Sequence, residues 1–362
     1  MQNRIMIDKE IISKVIDNLR FPMAVMVVAI HCYFFNTQNI NVLYGKMGGV
    51  IEWIINICSI VLTDCAVPLF FVISGYLFFL RQDGELTWVQ YKSKMLKKCK
   101  TLLLPFFIWN ILGALSYPVR FIDATWGEKI LGFWSQRMEW GSWAGPWDGP
   151  LWFLRDLFVV MLFSPVIYKI IRKIGVWFIV IMVIPLTFMD NASLFPGFSG
   201  IALLWFSLGS FLSIKKPVSF GKTPMGIVVA LAAVFFACRL LVMDDVINGI
   251  WEKILNMAWI LVSMAFYFRM ACLMAERKVR GSETLKRLGA SSFVIFAMHS
   301  LINGRISSVL LYITGKQNVG DLLTITFYFA TIILTLAIRY CFHLMVKRNN
   351  ITALLFEGGR KR

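Results

Sequence analysis

Charge is scarce in this chain of 362 residues: Asp, Glu, Lys and Arg make up only 16%, against about 25% in an ordinary soluble domain. With 58% of its residues hydrophobic, the chain cannot be a water-soluble globule, which has no means of hiding so much apolar surface. Low charge combined with 31 Phe and 13 Trp also excludes a disordered chain. No internal repeat, low-complexity linker or appended soluble domain is apparent. The seven Cys are scattered without metal-binding or redox spacing, so they read as small packing residues and no metal is expected. The first 20 residues are polar and carry no apolar run, so no cleavable signal is expected.

The charge that is present lies between apolar runs. Lys+Arg number 37 against 20 Asp+Glu, a balance of +17. In a soluble protein that excess points to nucleic acid; here its placement points to a lipid bilayer, and no nucleic-acid partner is expected. No charged residue occurs between Arg20 and Lys46. Similar apolar stretches, some of them short or carrying a charge, follow at roughly 60–80, 102–119, 150–168, 174–189, 198–214, 225–243, 254–275, 290–312 and 321–343. A spanning helix needs about 20 mostly apolar residues, and its backbone must bond to itself. The pattern predicts an all-α polytopic membrane protein with about ten transmembrane helices, forming one integral-membrane domain over 1–362.

The loops orient it. With a cytoplasmic N-terminus, the inside segments carry 26 Lys and Arg and the outside loops six. This is the bias that sets topology, and it places both termini in the cytoplasm. An additional span at 47–60 inverts every later loop and destroys the bias. Residues 1–19 are expected to be a cytoplasmic, interfacial segment. Within it Ile11, Ile12, Val15, Ile16 and Leu19 line one face of a short surface helix. Residues 347–362 are expected to form a basic cytoplasmic tail. The outer loop at about 119–149 holds Trp126, Trp134, Trp140 and Trp143, which either stack on a sugar or form an interfacial aromatic belt.

Ionisable groups at membrane depth are costly and mark candidate sites. His31 lies eleven residues beyond Arg20, about 16 Å deeper and only about 20° off the same helix face. A neutral buried imidazole can accept a proton, as a general base must; the other reading is a histidine bonded to a neighbouring helix. Val67-Pro68-Leu69-Phe70-Phe71-Val72-Ile73-Ser74-Gly75-Tyr76 places Ser74 about 10 Å above the inner boundary. There Ser74 and Gly75 serve either a site or close helix packing. Asp64 is a cap or a polar group near an outward cavity. His299 also falls near mid-membrane, and His343 is interfacial. Arg155-Asp156 either pair locally or bind sugar.

Arg20, ten residues, then His31; Pro68-Leu69-Phe70-Phe71-Val72-Ile73-Ser74-Gly75-Tyr76; Leu151-Trp152-Phe153-Leu154; and Met298-His299 together resemble the acyltransferase family 3 proteins. These are the multispanning O-acyltransferases of bacterial surface carbohydrate modification. The resemblance runs from about residue 14 to 346. It implies ten spans in the bacterial inner membrane and an acyl donor, usually acetyl-CoA, used from the cytoplasmic side. It implies as acceptor a hydroxyl of a surface or lipid-linked carbohydrate. Arg20 and His31 match the family's Arg–His pair and are the expected catalytic residues. Ser74 and Gly75 match its Phe-Phe-x-x-Ser-Gly motif, and Trp152 and His299 fall in the other two elements.

Where relatives often carry paired Arg before a Pro, this chain has Lys97-Lys98-Cys99-Lys100 ahead of Pro105. Lys lacks the bidentate fork toward phosphate. Lys97 and Lys100 therefore either touch the donor's phosphates or only set orientation. The soluble esterase-like domain of some relatives is not expected after Lys347. From the residues alone, a polytopic glycan or lipid transporter and an inactive scaffold of the same fold stay open. No second Pro-Phe-Phe-x-x-Ser-Gly element supports the two-fold repeat common in transporters.

Overall fold

The structure is a computed structural model that describes residues 2–43, 49–80, 82, 84–116, 118–135, 146–188, 193–195, 197–215, 223–277, 279–313 and 321–359. In chain order the helices are α1 (Gln2–Leu43), α2 (Val50–Asn56), α3 (Ala66–Phe79), α4 (Trp88–Lys98), α5 (Leu104–Ser116), α6 (Pro118–Asp123), α7 (Trp126–Leu131), α8 (Trp152–Leu162), α9 (Ser164–Ile174) and α10 (Val176–Phe188). They continue with α11 (Gly200–Lys215), α12 (Met225–Met243), α13 (Gly249–Glu276), α14 (Gly281–Gly289), α15 (Ser292–Ile313), α16 (Asp321–Val346) and α17 (Asn350–Glu357). Wider π turns at Ile57–Val61 and Cys99–Leu103 join α2 towards α3 and α4 to α5. A small antiparallel ladder pairs β1 (Ser193–Phe195) with β2 (Phe198–Ser199).

Among the described residues, seven helical stretches are long and apolar enough to cross a membrane, or eight if the bent pair α8–α9 is one span. The shortfall from the expected ten lies in α10 and α11, at 13 and 16 residues, below the about 20 that a straight crossing needs. The α8–α9 pair bends by 64° where Pro165 deprives the helix of a donor. Residues from Val50 belong to the second stretch, Val50–Phe79, and are not an extra span before it.

The chain divides into two compact units, Met1–Val67 with Val218–Cys341, and Pro68–Pro217 with Phe342–Arg362. In the first, α1 packs on α13, α14 and α15. The expected break between a surface helix and the first span is absent: α1 runs unbroken through Pro22. Val15, Ile16, Leu19, Met23, Val27 and Val28 are all buried, recurring at helical spacing. Of the face expected to lie on the bilayer, Val15, Ile16 and Leu19 are covered by protein while Ile11 and Ile12 are half-buried. The core gathers Ala24, Val28, Ala29, Cys32, Ile55, Ile295, Tyr328 and Ile332.

The turn at 62–65 breaks the second stretch, and carbonyls of the π turn before it need other donors. Trp259 Nε1 donates to Val61 O at 2.7 Å and Thr63 Oγ1 to Ser59 O at 2.6 Å. Asp64 accepts from Arg239 Nε at 3.1 Å, so it is the partner of a guanidinium on α12.

In the second unit α3 crosses α11 at a pair of glycines. A Cβ on Gly75 would overlap the Phe206 carbonyl, and one on Gly209 the Val72 carbonyl. This is backbone-to-backbone packing that only small residues permit. Lys94 Nζ donates to Phe78 O and Gln82 Oε1 at 2.9 and 3.1 Å, satisfying an end carbonyl of α3. Arg155 and Asp156, both buried, pair with each other at 2.8 Å, and Arg155 Nη1 also donates to Trp134 O at 3.0 Å. That resolves their local role. Trp140 and Trp143 of the outer loop lie outside the described residues.

The expected tail differs. Residues 350–357 form α17, which turns at Gly358 (φ 72°) and packs on α5. Trp109 Nε1 donates to Phe356 O at 3.0 Å, and Trp109, Phe342 and Phe356 meet with centroids 5.5–5.8 Å apart. His343 is buried, not interfacial, with Nδ1 2.5 Å from Glu357 Oε1. The apolar Ile-Thr-Ala-Leu-Leu-Phe run outweighs the flanking basic residues. Glu357→Ala leaves the His343 imidazole without this acceptor, at a cost of about 1–3 kcal/mol. The expected result is a lower melting temperature with protease cleavage concentrated after Lys347, and unchanged cleavage there contradicts the latch.

Candidate functional site

The polar cluster of the first unit is built from three helices. On α1, Arg20 and His31 lie about 16 Å apart along the axis. On α15, His299 and Asn303 are one turn apart and share a face. On α16, Tyr328, Ile332, Thr335 and Arg339 follow at spacings of four, three and four, a single helical stripe. His299, Asn303, Thr335 and Arg339 have no exposed surface.

The rings of His31 and His299 meet, with centroids 4.3 Å apart and planes tilted by 50°. His299 Nδ1 lies 2.5 Å from the Phe296 carbonyl. A carbonyl only accepts, so Nδ1 carries the proton and Nε2 presents a lone pair. Among the described residues Nε2 has no hydrogen-bond partner. His31 keeps part of its surface open while His299 keeps none. His31 is thus the more accessible ring of the pair, with the fully buried His299 against it.

Beside the imidazoles, Asn303 Oδ1 accepts from Thr335 Oγ1 and from Arg339 Nη2, both at 2.9 Å. Asn303 Nδ2 reaches towards Cys32 Sγ at 3.5 Å. The Arg339 charge interacts electrostatically with both His31 and His299. Tyr328, lower on the same stripe, shares a hydrogen bond with Ser59 at 2.5 Å.

Arg20 sits apart from this cluster. Its guanidinium binds Asp17 at 3.0 Å and is 35% exposed, and its Cβ packs beside Gly289 at the end of α14.

The structure thus brings together His31 and His299 among the expected residues. Of the others, Arg20 lies elsewhere on α1 in the first unit, and Ser74, Gly75, Lys97, Lys100 and Trp152 belong to the second unit. Ser74 is half-buried on α3, and Gly75 is filled from outside by the α11 backbone. Lys97 and Lys100 are exposed, and Trp152 is half-buried with its ring 6.5 Å from Phe71. Sequence reasoning missed Arg339, Asn303 and Thr335 as site residues. The rule that singled out His31 applies equally to a buried arginine in an apolar helix, and the i, i+4 pairs 299/303 and 335/339 carry the rest of the signal.

The arrangement offers an imidazole with part of its surface open, a lone pair behind it and a fixed positive charge. Those are the parts of a proton-transferring, oxyanion-forming reaction. The chain is 28% identical over 131 residues to the Succinoglycan biosynthesis protein ExoH of Rhizobium meliloti (strain 1021). That match covers 34% of this chain and 35% of the relative, so the chain aligns with about a third of that protein's length. No solved structure matches it. A family model described as an acyltransferase domain matches residues 14–344, most of the chain and both sides of the His31–His299 pair, and the chain belongs to that acyltransferase family.

Proposed function

We propose that this protein is a membrane O-acyltransferase that moves an acyl group, most simply acetyl, from acyl-CoA on the cytoplasmic side to a hydroxyl of a surface or lipid-linked carbohydrate. The observation that carries the reading is the partly open His31 ring lying on the fully buried His299 ring. Family membership supports acyl transfer, and the relative's name in succinoglycan biosynthesis supports a glycan acceptor. The excess of Lys and Arg on alternate loops supports ten spans with both termini in the cytoplasm, in the inner membrane. The family match from residue 14 to 344 runs through both units, which supports reading them as one functional domain.

A thioester is already activated, so the protein must align it with the hydroxyl and take a proton. Alignment contributes up to about 7–11 kcal/mol, and a placed base about 10²–10⁴-fold. His31 takes the hydroxyl proton as the oxygen attacks the thioester carbonyl carbon, then returns it to the departing thiolate. His299, held by Phe296, keeps the His31 ring in place. Arg20 holds the donor's phosphates at the mouth, a pantetheine arm's reach from His31.

Arg20→Lys retains charge and loses the fork, so donor KM rises about tenfold, the worth of one charge-assisted hydrogen bond, while kcat changes little. Initial rates across an acetyl-CoA series test this; an unchanged KM removes Arg20 from donor binding. The function itself is tested by labelled acetyl-CoA supplied with polysaccharide extracted from cells lacking the protein. Label on the polysaccharide supports transfer, and label that stays on CoA while glycan moves across vesicles supports a transporter.

A further inference from the structure

Arg339 is a full positive charge with no exposed surface. Burying a guanidinium is expensive unless hydrogen bonds and a function offset it. The protein spends two further buried side chains on holding it. Thr335 and Arg339 both donate to Asn303 Oδ1, so two bonds on one amide oxygen fix the amide plane and with it the guanidinium. Asn303 follows His299 by one turn of α15, and its Nδ2 reaches Cys32 Sγ, next to His31, at 3.5 Å, which ties the charge to the imidazole pair.

Attack of a hydroxyl on a thioester pushes an electron pair onto the carbonyl oxygen. In a water-excluded site, a pre-positioned cation or donor facing that oxygen is usually the largest single source of rate enhancement. Arg20 cannot supply it. It is about 16 Å along α1 from His31, and it is half-open and bound to Asp17. Arg339 is the charge that accompanies the histidines.

We propose that Arg339, held by Asn303 and Thr335, is the oxyanion-stabilising residue of acyl transfer, receiving the thioester carbonyl oxygen of an acyl-CoA beside His31. The inference rests on the acyltransferase reading. The acceptor oxygen bonds to the carbonyl carbon, its proton passes to His31, and the carbonyl π pair moves onto oxygen facing Arg339. As that pair returns, the carbon–sulfur bond breaks and the thiolate takes the proton from His31. The two arginines then have separate work, Arg20 on phosphates and Arg339 on the reacting carbonyl.

The test uses purified full-length protein in bilayers, labelled acetyl-CoA and polysaccharide extracted from cells lacking the protein. Arg339→Gln is expected to lower kcat about 10²–10³-fold while donor KM stays within about threefold, the mark of an interaction made in the transition state. Arg339→Lys, which keeps the charge, recovers part of that loss. Thr335→Val, which loosens the clamp, lowers kcat about tenfold with donor KM unchanged. A folded Arg339→Gln protein with wild-type kcat, or with only donor KM altered, overturns the proposal. If Arg339→Gln does not fold, wild-type kcat in both Arg339→Lys and Thr335→Val overturns it. Wild-type protein that transfers no label overturns the acyltransferase reading itself, a result distinct from an active wild type indifferent to Arg339.

Discussion

Cells carrying His31→Ala are expected to make surface glycan without its acyl groups, while the protein inserts and accumulates normally. The first half follows from chemistry. Without a base the acceptor hydroxyl attacks as a neutral alcohol, and the loss is about 10²–10⁴-fold, enough to leave no detectable modification in a mass spectrum. The second half follows from packing. The α1 helix is held by Val15, Ile16, Leu19, Met23, Val27 and Val28, all buried, and the substitution touches none of them. His31 keeps an open edge, so its removal leaves a notch and not a sealed cavity. Normal acylation by this variant at wild-type abundance rules out the assignment of His31 as base.

The second large effect is on stability. Gly75→Val is expected to prevent stable folding, or to cost about 3 kcal/mol or more. Its Cβ overlaps a backbone carbonyl of α11, at Phe206, and the opposing Gly209 already meets the Val72 carbonyl. A side chain can rotate away from a new neighbour; two helix backbones in contact at both glycines cannot, except by separating. Within a membrane, where close packing holds helices together, that separation forfeits the crossing. The measurement is the yield and melting temperature of the purified variant. A Gly75→Val protein as stable as wild type, with activity lost, returns Gly75 to the substrate site.

These two outcomes separate motifs that looked alike in the sequence. His31 was legible because a charge-free stretch makes any ionisable residue conspicuous, and His299 because it sits deep in a run whose one charge, Arg305, lies nearer its far end. Arg339 falls near the end of the 321–343 run, where an arginine that reaches for the interface is ordinary. Asn303 and Thr335 are neutral polar residues that helices tolerate singly, so only the fold shows that Thr335 donates to Asn303, which also accepts from Arg339. Gly75 was legible as either packing or site, since a glycine has no chemistry of its own to decide.

The helical class and the placement of apolar runs followed from hydropathy, because a bilayer leaves the backbone one solution. The length of each crossing did not. The bend at Pro165 and the short α10 and α11 depend on which neighbours shield their ends. The covered face of α1 and the docked α17 also escaped, for a shared reason: an amphipathic stripe says that something covers it, not whether that is lipid or protein.

The most direct measurement uses vesicles containing purified protein, with extracted unacylated polysaccharide as acceptor. Labelled acetyl-CoA is confined to the face that displays the N-terminus, then in a parallel sample to the other. The account predicts label on the polysaccharide only from the N-terminal face, and none with His31→Ala. Equal labelling by the two proteins, or labelling from the opposite face alone, contradicts it.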